Sequence, residues 1–240
     1  MIKGLLFDLN GTVIDIYTSE SDDQIYRTLS NFLDYYRVRI SPQLLRDEYF
    51  SILKQQKKES SEDFPEFDVI KLFSELIGKY STEESLSVAP ETAAIVFRAA
   101  GRYKLEPYCG VIQTLETLAK EYQMSAVSDG QAVWALPELH SAGLDRLFTH
   151  TIVSSDYGFR KPDHRMYEMA LQKMKLLPED VIFVGNDMYR DIYGAHEFGM
   201  KTVFFRSNQG EQNFCGADAD YIIYNFPELL KAVEFLKNRQ

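Results

Sequence analysis

Cysteine is scarce in this chain of 240 residues: there are two, Cys109 and Cys215, far apart in sequence. They match no zinc or redox spacing and cannot build a disulfide framework, so a reducing cytosol is the simplest setting. Basic side chains are outnumbered, 26 Lys and Arg against 36 Asp and Glu, for a formal net charge of −10. A nucleic-acid surface needs a basic face, so this balance argues against that class. It says nothing against a small anionic substrate, because a pocket can differ in sign from the molecule around it. No apolar run reaches bilayer-spanning length, and the N-terminus reads straight into a strand with no basic-then-apolar leader. The expectation is a cytoplasmic protein, monomer or homodimer, without membrane or nucleic-acid partners. Internal repeats and low-complexity tracts are also missing. The four histidines, His140, His150, His164 and His196, show no metal-ligand spacing with one another.

Apolar material is plentiful. At 45% hydrophobic and 13% aromatic the chain can bury a substantial core, which excludes disorder. Ile2, Leu5, Leu6 and Phe7 form a strand-like run that ends at Asp8-Leu9-Asn10-Gly11-Thr12. Asp8 therefore sits where a buried strand stops, and in an open parallel sheet ligands bind at that end. Gly11 permits a sharp turn and Thr12 offers a hydroxyl at its mouth. A carboxylate so placed is a candidate nucleophile or cation ligand; alone, the segment reads equally as a polar strand end with an Asn-Gly turn.

Residues 21–104 read as helices with no strand among them. Ile25, Leu29, Phe32, Leu33 and Tyr36 recur at helical spacing, and Ser41-Pro42 is a capping pair for a second helix. From Pro107 onward, strands and helices alternate. Met124–Val127, Thr151–Val153, Val181–Val184, Thr202–Phe205 and Tyr221–Tyr224 are the strand-like runs. Such alternation predicts an α/β fold, a Rossmann-like doubly wound parallel sheet, with an all-helical insert near its start. The expected division is a core of residues 1–15 and 105–240 and a helical cap of 16–104.

Three of the strands end in polar residues, Asp8, Ser128 and Asp187, which a parallel sheet brings to one edge. Asp191 follows four residues after Asp187, and Lys161 precedes a helix. Carboxylates crowded together raise each other's pKa unless something positive separates them, and Mg²⁺ prefers oxygen ligands. Lys161 can balance the remaining charge and hold an anionic group that Ser128 also reaches.

In this order, Asp8-x-Asn10-Gly11-Thr12, Ser128, Lys161-Pro162 and Gly185-Asn186-Asp187 with Asp191 resemble the haloacid dehalogenase superfamily of hydrolases, over residues 2 to about 206. The resemblance implies a Rossmann-like core, a helical cap in the family's first cap position, Mg²⁺ and an aspartyl nucleophile at Asp8. It assigns catalysis to Asp8, Asn10 and Lys161. Substrate binding falls to Thr12, Ser128, Asp129, Gly130 and Lys161, and metal binding to Asp8, Asn10, Asp187 and Asp191. The expected activity is Mg²⁺-dependent hydrolysis of a small phosphorylated metabolite through a phosphoaspartate.

Two positions depart from the family pattern. The residue two after the nucleophile is usually a second aspartate that shuttles a proton while its main-chain carbonyl binds the metal. Here it is Asn10, which keeps the carbonyl and loses the shuttle. That loss is worth about 10²–10⁴ in rate. The second departure is Asn186: with three residues between the acids the metal pair is Asp187 and Asp191, and with four the ligand position is Asn186. The carboxylate is the better ligand for a hard cation, which favours Asp187. Two other readings stay open, a metal-free hydrolase like the 2-haloacid dehalogenases and a non-catalytic protein that binds a phosphorylated ligand.

Overall fold

The computed structural model describes residues 1–238. Its centre is a six-stranded parallel sheet in the order β5-β4-β1-β6-β7-β8, where β1 is Gly4–Phe7, β4 Gln123–Ser128 and β5 Thr151–Val153. On the other side of β1 lie β6 (Val181–Gly185), β7 (Lys201–Phe205) and β8 (Tyr221–Ile223). β1 pairs with β4 through Phe7 and Ala126 and with β6 through Phe7 and Val184, so Asp8 leaves the sheet between two neighbours. The chain builds outward on one side and then crosses to build the other. The crevice beside β1 is therefore the switch point where α/β sheets bind ligands.

Both faces of the sheet are covered, which is why its strands read as continuous apolar runs. Leu5 and Phe7 pack on one side with α5 (Val111–Leu118) and α9 (Leu229–Lys237). Leu6 and Phe183 pack on the other with α7 (His164–Met174). This is the Rossmann-like architecture expected. Among the described residues no helix is long and apolar enough to cross a membrane.

The insert consists of α1 (Asp23–Asp34), α2 (Pro42–Glu59), α3 (Val69–Tyr80) and α4 (Pro90–Gly101). Asp22, Ser41 and Asp68 cap the first three with side-chain oxygens, satisfying main-chain N–H groups that a helix start leaves unpaired. Ile25, Leu29, Tyr49, Phe73 and Phe97 form an apolar centre of their own. The insert meets the sheet layer mainly through α6 (Ala132–Ser141). Trp134 of α6 is buried in the insert's apolar centre; its indole N–H donates to Ala94 O at 2.8 Å and its ring stacks on Phe97. Gln131 ties in the start of α3, accepting from Val69 N and donating to Phe67 O.

One expectation fails here. The insert is not free of strands: β2 (Ile14–Thr18) and β3 (Arg102–Pro107) form a two-stranded antiparallel ribbon at its root. The ribbon is short and largely polar, with Leu105 as β3's one apolar contact to the sheet core and Lys104 bonded to Asp15 across it. Its two halves lie at opposite ends of the insert, so neither carries a local signal of pairing. The remaining α8 (Gly194–Glu197) continues a wide helical turn, Met188–Tyr193, that follows β6.

Candidate active site

Lys161 is the hub of a buried charge cluster at the ends of β1 and β6. Its ammonium lies 2.7 Å from Asp8 Oδ1, 2.7 Å from Asp191 Oδ1 and 3.1 Å from Val127 O, so its three donors each have an acceptor. Burial opposes charge on this lysine, but Asp191, Asp8 and Asp129 outweigh it and hold the ammonium above its ordinary range. The other oxygen of Asp191 accepts from the main-chain N–H of Asn186 and of Asp187, both at 3.0 Å. Asp191 is thus spent on fixing Lys161 and the β6 turn.

Asp8 faces the other way as well. Thr12 Oγ1 sits 3.0 Å from Asp8 Oδ2 and 3.1 Å from Asn186 Oδ1, offering its one proton to either. Gly11 makes this possible: at φ +86° it is in the left-handed region, and a Cβ there would strike the Asn186 amide. Asp8, Asn10 and Asn186 then line a cleft of about 530 Å³, with Arg98 on one wall and Lys104 and Gln209 on another.

Asp187 does not join them, which corrects the expectation that it is the metal-facing acid. Its Oδ1 accepts from Tyr189 N and Arg190 N, and its Oδ2 from Arg190 Nε, Arg190 Nη2 and Glu211 N. Burial alone would push this carboxyl up, but Arg190 holds it below the usual carboxylate range. The physical reason is helix chemistry: an aspartate before two free N–H groups is a cap. Its neighbour Asn186 faces Thr12 and the cleft instead.

The rest of the β4 turn is divided. Asp129 Oδ1 accepts from Lys161 N at 2.9 Å, while Oδ2 lies 3.4 Å from Arg190 Nη1 and 3.6 Å from Arg160 Nε. Gly130 N donates to Ser154 Oγ. Ser128 Oγ is buried with no hydrogen-bond partner among the described residues, a state that costs about 1–3 kcal/mol unless a ligand satisfies it. Sequence reasoning missed Arg98, Arg190, Lys104 and Glu20, all brought to the cleft or its margin by packing.

The family profile of haloacid dehalogenase-like hydrolases matches residues 5–205. The chain belongs to that family. It is 27% identical to the glyceraldehyde 3-phosphate phosphatase of Methanocaldococcus jannaschii over 241 residues, 99% of each chain. It is 35% identical to the enzyme of that name from Pyrococcus furiosus over 128 residues, 52% of this chain and 53% of that one. A 2-haloacid dehalogenase from Pseudomonas syringae pv. Tomato DC3000 superposes with a TM-score of 0.69 at 20% identity, covering 98% of this chain and 99% of the other. At that identity the likeness speaks for the fold.

The metal expectation meets a changed donor set. No cluster of three acidic, histidine or cysteine ligands exists among the described residues. The carboxylates lining the cleft are Asp8, Asp15 and Asp129; Asp15 is bonded by Lys104 and Asp129 by Lys161 N and Arg190, while Asp8 has the side-chain amides of Asn10 and Asn186 in the same lining. Oxygen donors of this kind suit a hard cation, and Mg²⁺ is held by as few as one carboxylate when a phosphate and waters complete its shell. The set fits Mg²⁺, with fewer charges than two acids would bring.

Proposed function

We propose that this protein hydrolyses phosphate monoesters of small metabolites, with Asp8 as the nucleophile. The observation that carries this reading is the Asp8 carboxylate, anchored on one oxygen by Lys161 at the switch-point crevice and open to a polar cleft. The phosphatase named across the full length of its M. jannaschii relative supports the same substrate class. Asp8 attacks phosphorus and forms a phosphoaspartate, which water opens. Lys161 holds Asp8 in place; Thr12 and the unsatisfied Ser128 hydroxyl supply hydrogen bonds for phosphate oxygens. Mg²⁺, held by Asp8, Asn10 and Asn186, would add charge to neutralise the phosphate. The four-helix insert acts as the cap, and its Arg98 wall limits the substrate to a small molecule. The setting is the cytosol, which suits two exposed free thiols.

The test is hydrolysis of p-nitrophenyl phosphate with and without Mg²⁺, by the wild type, Asp8→Asn and Asn10→Asp. Asp8→Asn is expected to abolish turnover and Asn10→Asp to raise it, by up to about 10²–10⁴ for poor leaving groups. No turnover by the wild type or Asn10→Asp would sink the proposal. A metal-free dehalogenase-type displacement is the second reading, favoured by the neutral residues at both 10 and 186. Halide release from 2-chloropropionate in EDTA would put it first.

A further inference from the structure

Beside the main cleft lies a smaller recess of about 180 Å³, lined by Asn10, Glu20, Glu66, Arg98, Asp129 and Trp134. Asn10, Arg98 and Asp129 line both spaces, so the two share a wall. Of these two spaces, Asp8 lines the cleft and Glu20 the recess, with Asn10 lining both. An in-line displacement needs an attacking group and a separate group serving the departing oxygen, and these adjoining spaces offer a candidate for each. We propose that Glu20 is the general acid that Asn10 cannot be, and that the recess takes the leaving group of a small polar phosphate ester. This rests on the phosphohydrolase reading above.

Four carboxylates line the recess, Glu20, Glu66, Asp129 and Glu138, and their partners separate them. Asp129 is held by Lys161 N and Arg190, and Glu138 by Arg98 and Arg102. Glu66 is committed: Oε1 accepts from Phe67 N at 3.1 Å and Oε2 from Ser154 Oγ at 2.8 Å, tying the insert to the turn after β5. The Glu20 side chain has one long bond, from Tyr49 Oη at 3.4 Å, and no ion pair among the described residues. Arg98 stands near but spends its guanidinium on Glu138, with bonds of 2.7 and 3.0 Å. Tyr26 donates to the main-chain oxygen of Glu20 and so fixes the backbone beneath it. Burial pushes the Glu20 carboxyl above its ordinary range, against the pull of Arg98, Tyr49 and Lys57. A carboxyl so placed keeps a proton nearer neutrality than a free glutamate does.

The recess has room for about six waters at roughly 30 Å³ each. A leaving group of a few heavy atoms fits in about 180 Å³, with Trp134 and Glu20 both in the lining. As Asp8 Oδ bonds to phosphorus the ester P–O bond breaks. Its electron pair stays on the leaving oxygen, which takes the Glu20 proton and departs as an alcohol. Water then bonds to phosphorus and the Asp8–phosphorus pair returns to the Asp8 carboxylate. The proton that water sheds restores Glu20.

The experiment compares the wild type, Glu20→Gln, and Glu20→Gln with Asn10→Asp on glycerol phosphate and on p-nitrophenyl phosphate. An alkoxide needs a proton to leave and nitrophenolate does not. Glu20→Gln is expected to slow glycerol phosphate hydrolysis by about 100-fold or more and p-nitrophenyl phosphate by no more than about threefold. Asn10→Asp is expected to restore the alkyl ester in the Glu20→Gln background, which also shows that the variant folds. Equal slowing of both esters, no slowing, or a wild type that cleaves only the aryl ester would overturn the assignment. Acid-quenched labelled phosphoenzyme from p-nitrophenyl phosphate reports on Asp8 separately. If it forms while the two esters respond alike to Glu20→Gln, Glu20 alone is refuted; if it never forms, both readings fall.

Discussion

Replacing Lys161 with methionine tests whether the buried cluster is held by this one charge. The ammonium touches Asp8 and Asp191, each at 2.7 Å, and its side chain is 1% exposed. Methionine has a similar length and keeps the contact over the Phe183 ring, so little packing is lost. What remains is two buried carboxylates with their shared counter-charge removed. Breaking a buried ion pair from one side costs about 3–5 kcal/mol, because the partner stays in low dielectric uncompensated. For a chain of this length that corresponds to a fall in Tm of about 6–20 °C. The assay is thermal and urea unfolding in EDTA, so that added metal does not mask the loss. The double variant Lys161→Met with Asp191→Asn removes charge from both ends and is expected to regain at least half of it. A single variant within 3 °C of wild type, or a double variant no better than the single, would refute the reasoning.

Three further outcomes follow from the geometry. Gly11→Ala must hold a left-handed residue against the Asn186 amide, and is expected to lose about 1–2 kcal/mol for the backbone alone, measured by urea unfolding. Trp134→Ala removes the ring on Phe97 and the bond to Ala94 O, and is expected to cost about 3–5 kcal/mol; a loss under about 1 kcal/mol would mean that the insert does not depend on α6. Glu20→Gln is expected to melt no lower than wild type at pH 7, with any advantage shrinking toward pH 4.5. The folded-state pKa of Glu20 lies above the ordinary 4.5, so the folded protein holds the proton more tightly and wild-type stability falls as pH rises through that window. A glutamine variant whose advantage grows on acidification would contradict the sign.

Asp8 was legible in the sequence because it follows an apolar run that a parallel sheet carries to one edge, Lys161 by its place before a helix, and Asp191 by its spacing of four from Asp187. The choice between Asn186 and Asp187 was not legible in that way. It depends on which of two adjacent residues leaves β6 pointing inward, and ligand strength was the wrong criterion. Capping decided it: Asp187 precedes two unpaired N–H groups that it satisfies, and Arg190 then locks it. The same turn donates two main-chain N–H groups to Asp191. The ribbon of β2 and β3 was hidden by the length of chain between its halves. Arg98 and Glu20 were hidden because nothing in a helix pattern or a loop says which side chain meets a cavity.

Asn10 and Asn186 put two neutral amides beside Asp8 in the lining of the cleft. With acids at both positions two more carboxylates would stand beside Asp8, whose ion-pair partner Lys161 is already shared with Asp191. Such crowding is what a divalent cation relieves. With amides, the groups in direct contact remain Asp8, Asp191 and the one ammonium of Lys161. A cation would serve the phosphate more than the nucleophile. The proton once handled at position 10 must come from a carboxyl outside this cluster, where its titration is not tied to Lys161. Glu20 satisfies that condition because it lines the recess and not the cleft.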